Sequence, residues 1–204
     1  AVGGHSYGQF IAPGVVAGYA MFHAAGECLW GTYLRMERQH TFDAILATPV
    51  GVGELGMGEV LWGATKATVS AAAVLATAAA LGMVASPLAA LLLPLGLVAG
   101  VMFAAITLCY TAVAPSINVL ESFYTLFLTP MFFFSGAFYP IKALPEAVQP
   151  FLWALPLTPV VHLARELAFG EPTLRGLGAL GLIVLYAAVA LPVSHYLLRR
   201  RLVR

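Results

Sequence analysis

Five apolar runs, each about as long as the roughly 20 residues a helix needs to cross a bilayer, recur along this chain. They are Ile11–Leu34, Leu55–Met83, Leu88–Val113, Ile117–Ser135 and Leu174–Leu198. Mean hydropathy is +0.90, and only 9% of the 204 residues are charged. Apolar character this widely spread places the chain in the all-α polytopic membrane class, as one transmembrane domain over residues 1–204. The alternating segments of about ten residues that build a membrane β-barrel are not seen. A net charge of +1 with no basic patch outside the segment ends gives no sign of a nucleic-acid partner. Cys28 and Cys109 both lie inside apolar runs and read as small core residues.

One stretch, 136–172, is apolar but is interrupted by Pro140, Pro145, Pro150, Pro156, Pro159 and Pro172. Proline removes a helical hydrogen bond and clashes with the preceding turn, so no continuous span fits there. Two short helical pieces that enter the membrane and return suit it better. With five spans, Arg35 and Arg38 fall on the same side as Arg199, Arg200, Arg201 and Arg204, a side the distribution of basic residues makes cytoplasmic. The other side carries Lys142, Arg165 and Arg175. The opening "AVGGHSYGQF" starts with Ala1 and lacks the basic region of a signal peptide, so a further upstream segment is expected. GxxxG spacings at Gly14/Gly18 and Gly96/Gly100 permit close helix contacts without requiring them.

Between the first two runs lies a charged island, with Arg35, Glu37, Arg38, His40 and Asp43 in nine residues. Read as a helix over 35–47, it places Phe42, Ile45, Leu46 and Pro49 near one face with polar residues around them. It is too short to span, and suits the membrane surface or a groove in a cytoplasmic partner. A solvated loop is the plainer alternative.

The stretch "RMERQHTFDAILATPVGVGELGMGEVLWGATKA" together with "TPMFFFSGAFYPIKALPEAVQPFLWALPLTPVVHLAREL" resembles the permease subunits of type 2 ATP-binding-cassette exporters, above all the lipo-oligosaccharide (nodulation-factor) branch. The resemblance runs over nearly the whole chain from Ile11. It implies six spans, the first lying upstream of this sequence. It makes 35–47 a coupling helix that docks on a cytoplasmic ATPase through Arg35, Glu37, Arg38, Thr41, Phe42, Asp43, Leu46 and Pro49. It makes the proline-rich stretch a pair of re-entrant helices forming an outer gate, with Phe134, Ser135, Gly136, Phe138, Pro140, Pro156 and Arg165. A dimer of permeases with two ATPases in the bacterial cytoplasmic membrane follows, exporting a glycolipid, lipid-linked glycan or amphipathic drug-like substrate. No GxxxxGK[ST] phosphate loop occurs in the chain, so ATP and Mg belong on the partner ATPase and no cofactor is assigned to this chain. A secondary transporter or membrane enzyme of the same span count is the rival reading.

Charges inside spans are costly and tend to meet each other or a pathway. Glu27, Glu59 and Lys66 are expected to form a polar cluster between the first two spans of this chain, just above the island, with Glu59 and Lys66 on one helix face. A packing salt bridge and a substrate contact are both open. His23 and Glu27 have the i,i+4 spacing of metal ligands but no third ligand. Ser135 and His195 lack the surroundings of a catalytic pair. His162, Arg165 and Glu166 read as an outer interfacial anchor or a gating group. The aromatics from Phe132 to Tyr139, with Trp153, read as a lipid path or ordinary packing.

Overall fold

The computed structural model describes residues 6–140, 145 and 149–203. All regular structure among them is helical. Helix α1 covers Tyr7–Gly26 and continues through two π-turns, Glu27–Gly31 and Leu34–Arg38. Then come α2 (Thr41–Leu46), α3 (Val52–Ala80), a 3₁₀ turn (Pro87–Leu91) and α4 (Leu92–Val113). Helix α5 (Ile117–Phe123) runs through a π-turn into α6 (Thr129–Phe134). The short helices α7 (Gln149–Trp153) and α8 (Leu157–Phe169) precede the long α9 (Leu174–Leu202).

Local chemistry sets these ends. Ser6 and Gln9 cap α1 reciprocally: each side chain accepts the other's backbone N–H, at 3.3 and 3.0 Å, which satisfies two donors that a helix start leaves free. Glu54 accepts the N–H of Gly51 at the start of α3 (3.0 Å). Ser86 accepts from Leu88 just before α4 (3.2 Å). Thr173 accepts from Gly176 at the start of α9 (3.3 Å).

Among the described residues, four stretches are long and apolar enough to cross a membrane: Val52–Ala80, Pro87–Val113, Ile117–Phe134 and Leu174–Leu202. They match four of the five expected runs to within a few residues. The remaining expected span, 11–34, lies within α1 and its π-turns but is not among the four. Pro13, His23 and several glycines dilute its apolarity, and much of its surface is buried against other helices. In the proline-rich stretch the described residues form α7 and α8, two helices as expected. At 13 residues, α8 is about 20 Å long, too short to cross a core of roughly 30 Å. Lys142 and residues 141, 143, 144 and 146–148 lie outside the described residues.

Helix α4 is the centre of the bundle and packs on α1, α3, α8 and α9. Small residues make this possible. A Cβ at Gly100 would stand 2.8 Å from both Ala64 Cα and Ala67 Cβ on α3, and one at Gly96 would stand 3.0 Å from Ala71 Cβ. The second GxxxG pair is therefore a true contact seam. In the first pair, a Cβ at Gly14 would meet Ala137 Cα at 2.9 Å, and one at Gly18 would overlap the Phe132 ring. Thr111 Oγ1 donates to Cys28 O across the α1–α4 contact (2.8 Å). Cys28 and Cys109 are both free thiols.

The seam predicts a contrast. Gly100→Leu should force α3 and α4 apart and lower stability by about 1–3 kcal/mol. Gly58→Ala, whose Cβ meets nothing within 4 Å, should leave it unchanged. Thermal unfolding in detergent checks both.

Candidate functional site

Helices α1 and α3 face each other with charges where an apolar medium penalises each one left alone. The π-turn Glu27–Gly31 carries Glu27, and the next π-turn carries Arg35. Glu27 Oε1 takes Arg35 Nη1 at 2.8 Å, and Glu27 Oε2 pairs with Lys66 Nζ of α3. Arg35 also forks onto Glu59 of α3, through Nη2 to Oε2 at 2.5 Å and Nε to Oε1 at 3.1 Å. Thr32 Oγ1 donates to the same Glu59 Oε2 at 2.5 Å. The result is an alternating chain, Lys66–Glu27–Arg35–Glu59, with no net charge. Gly31 leaves room for it, since a Cβ there would overlap the Glu27 carboxylate.

Glu27, Glu59 and Lys66 thus come together between α1 and α3, with one correction. Glu59 and Lys66 share a helix, and each is tied to α1, through Arg35 and Glu27 respectively. The cluster reaches further from the island than expected, because Lys66 is the central residue of α3, fourteen from either end of Val52–Ala80. That is about 21 Å from the helix start. Arg35, expected on the docking surface, is the hinge of this cluster.

The island is not one helix over 35–47. The π-turn closes with Gln39 N–H donating to Leu34 O (2.9 Å), and His40 then adopts a left-handed φ of 52°, which interrupts any α-helix. Only Thr41–Leu46 is helical beyond it. Phe42, expected to face a partner, is 1% exposed in this chain's own core. Burying the ring returns more free energy than solvating it. Glu37 pairs with Arg201 at 2.7 Å, and Arg201 also donates to Thr111 O (2.9 Å) and Ala114 O (2.8 Å) at the end of α4. This joins the island to the basic end of α9, so both lie at the same end of the bundle, as the charge distribution requires. Thr41 and Leu46 are half-buried, while Arg38, Asp43 and Pro49 are exposed together with Ala44, Ala47 and Thr48.

At the opposite end, Arg165 of α8 acts as a clamp. Its Nη2 donates to Gly136 O (2.5 Å) and Ala137 O (2.9 Å), and its Nε donates to Phe10 O (3.3 Å). Its guanidinium lies 3.8 Å from the centroid of the Phe10 ring. Burial pushes its pKa down to about 10, so it stays protonated at neutral pH. Gly136 has a φ of 83°, which a side chain would strain. Of the other expected gate residues, Ser135 and Phe138 flank the two carbonyls that the clamp holds, whereas among the described residues no hydrogen bond or ring contact joins Phe134, Pro140 or Pro156 to Arg165. Ser135 is buried and donates to Phe132 O (2.9 Å), and Phe138 packs on Phe132 and Phe133 at 5.1 and 5.6 Å. Phe134 is exposed and Pro140 is half-buried. Pro156 caps α8. Next to Arg165, Glu166 accepts the N–H of Thr173 (3.0 Å) and its hydroxyl, and lies 3.4 Å from His162 Nε2. His195 packs over Gly53, at the end of the bundle away from Ser135.

Residues 2–169, which take in the ion cluster, the island and the Arg165 clamp, match the ABC-2 type transporter family. The chain belongs to that family. This ABC-2 type transporter protein is similar to Nodulation protein J of Rhizobium leguminosarum bv. trifolii, 37% identical over 100% of this chain and 78% of that protein. It is also 37% identical to Nodulation protein J of Rhizobium meliloti (strain 1021), over 98% of this chain and 77% of that protein. Nodulation protein J of Azorhizobium caulinodans is 28% identical over 95% and 76%. No solved structure matches.

Four residues in this transporter's polar contacts, Thr32, Arg35, Glu37 and Arg201, escape sequence reasoning. Thr32 gives no signal in a sequence, because hydroxyls inside spans are common. Arg35 stands at the edge of an obviously charged island and is read with it. The Glu37–Arg201 pair joins residues 164 apart, which no local pattern reveals.

Arg35→Met should destabilise the ABC-2 protein by about 3–5 kcal/mol, because it leaves Glu59 buried without a cation. Adding Glu59→Gln should recover much of that loss. Unfolding temperatures of the four proteins in this double-mutant cycle measure the coupling; strictly additive losses would show that the two side chains do not act together.

Proposed function

We propose that this protein is the membrane subunit of an exporter driven by a separate ATP-binding-cassette ATPase. Two copies of it, with two ATPase subunits, move a lipo-oligosaccharide or similar amphiphile across the bacterial cytoplasmic membrane. ATP and Mg are bound on the ATPase. The chain contributes five spans, with α7 and α8 re-entrant on the outer face.

The observation that carries this reading is the Lys66–Glu27–Arg35–Glu59 chain between α1 and α3, close to the exposed segment around α2. A subunit driven by another protein must turn a push at its surface into movement of its spans. The segment from Arg38 to Thr48 offers the surface, with Asp43, Ala44 and Ala47 outward and Phe42 rooted in the core. The ion pairs make α1 and α3 one unit at the root of that segment. A carrier driven by protons or ions needs a carboxylate free to exchange its partner, whereas Glu27 and Glu59 are each held by cations.

Because Phe42 is an internal anchor, the docking test belongs on the exposed residues. Ala44→Arg should keep the unfolding temperature of the unaltered protein, its stability shifting within about 0.5 kcal/mol. It should cut co-purification of the ATPase and amphiphile-stimulated ATP hydrolysis at least about tenfold. Unchanged assembly with this variant would exclude the α2 segment as the docking element.

A further inference from the structure

A groove of about 530 Å³ opens between α1 and α3 on the outward side of the ion cluster, lined by Tyr19, His23, Trp62, Lys66 and Ser70 among others. We infer that this groove binds the saccharide headgroup of an amphiphile, with the aliphatic tail lying along Val69, Ala73 and Val74. The inference rests on the exporter reading above and deepens it by assigning the substrate's head to named residues of this chain.

Depth makes the groove unusual. Lys66 is central in a 29-residue helix that is apolar enough to span, yet its side chain is 42% exposed. A half-exposed ammonium at such a depth is costly against hydrocarbon. One of its donors is taken by Glu27, which leaves others for a ligand. His23 is exposed and makes a ring contact with Tyr19 (centroids 6.4 Å apart). Tyr19 is 47% exposed and Trp62 is 50% exposed, and Lys66 Nζ lies 5.4 Å from the Trp62 ring centroid. Two open aromatic faces thus flank hydrogen-bonding groups, in a concave space of the size small ligands occupy.

A sugar ring fits this set well. Its C–H faces stack on indole and phenol rings, and its hydroxyls accept from Lys66 and exchange hydrogen bonds with His23 and Ser70. A phosphate fits it poorly, because the one ammonium in the wall is already shared with the Glu27 carboxylate, which would repel a second anion. The far part of the wall is apolar, so head and tail are both matched. Occupation of Lys66 would act directly on Glu27, and through Arg35 on the base of the α2 segment, linking substrate binding to the docking surface.

The test uses the protein in phosphatidylcholine nanodiscs, with Thr65→Cys placed in the groove wall on a Cys109→Ala background. Maleimide labelling of the introduced thiol is timed with submicellar dodecyl maltoside, dodecyl phosphate or dodecanol. Dodecyl maltoside should slow labelling at least about fivefold, the other two should slow it much less, and Trp62→Leu should remove the protection while preserving the unfolding temperature. Equal slowing by all three would mean that only the tail is held. Stronger slowing by the phosphate would mean an anionic head. An introduced thiol that never reacts would mean that another helix covers the groove, and protection that survives Trp62→Leu would remove the stacking role. Each of these outcomes overturns the inference. ATPase co-purification, measured on the same preparations, tests the exporter reading separately: binding without assembly would sink that reading and leave the groove standing.

Discussion

A guanidinium that holds two carboxylates is the contact on which the rest of this bundle depends. Arg35 reaches Glu27 on its own helix and Glu59 on the next, and Lys66 pairs with the other oxygen of Glu27. Remove the arginine and two buried anions must share one ammonium, in surroundings where water cannot intervene. The same set in a soluble protein would be a modest asset, because solvent screens it and desolvation offsets the attraction. Inside a span the balance shifts, since separating the partners costs far more than keeping them paired. Helices α1 and α3 are therefore joined by electrostatics at one end and by small-residue packing on α4 throughout.

The packing and the charges divide the work between them. The α3–α4 seam at Gly96 and Gly100 admits backbones at van der Waals distance, which favours many weak contacts over a few strong ones. Such a seam resists separation but offers little resistance to sliding. Ion pairs behave the other way, fixing register while adding little area. The two devices overlap on the α1–α3 side, where Gly63 of α3 also packs closely on Cys28 and Ala24, and the Thr111 hydroxyl ties α4 to the same pair through Cys28 O.

Much of this is legible in the sequence for a physical reason: spans are set by the thickness of hydrocarbon, and a helix that tolerates one proline, as α1 does Pro13 and α9 does Pro192, cannot run unbroken through six. Four apolar runs therefore reappear almost residue for residue, and the proline-rich stretch contains short helices. The cluster of Glu27, Glu59 and Lys66 is legible because charges in apolar runs have few places to go. The island is not. Its amphipathic spacing is consistent with one helix, but His40 breaks it and Phe42 turns inward, outcomes decided by tertiary burial rather than by periodicity. Proximity in sequence puts Arg35 with the island, whereas its reach of several methylenes lets it belong to the membrane. The Arg165 clamp is only half visible, since its acceptors are main-chain oxygens that no residue type announces.

The clamp makes this end of the molecule unevenly tolerant of change. Arg165 binds the carbonyls of Phe10, Gly136 and Ala137, groups that every amino acid carries. The hydrogen bonds therefore place no demand on the side chains at 10 and 137, although packing does, through the Phe10 ring against the guanidinium and the small Ala137 against Gly14, while Gly136 is held to its type by a positive φ. The donor has no such freedom. A lysine at 165 would present one ammonium on a rotating stem in place of a planar fork aimed in fixed directions. The two sides of the clamp are thus specified differently: the acceptors by backbone path and close packing, the donor by the shape of one side chain.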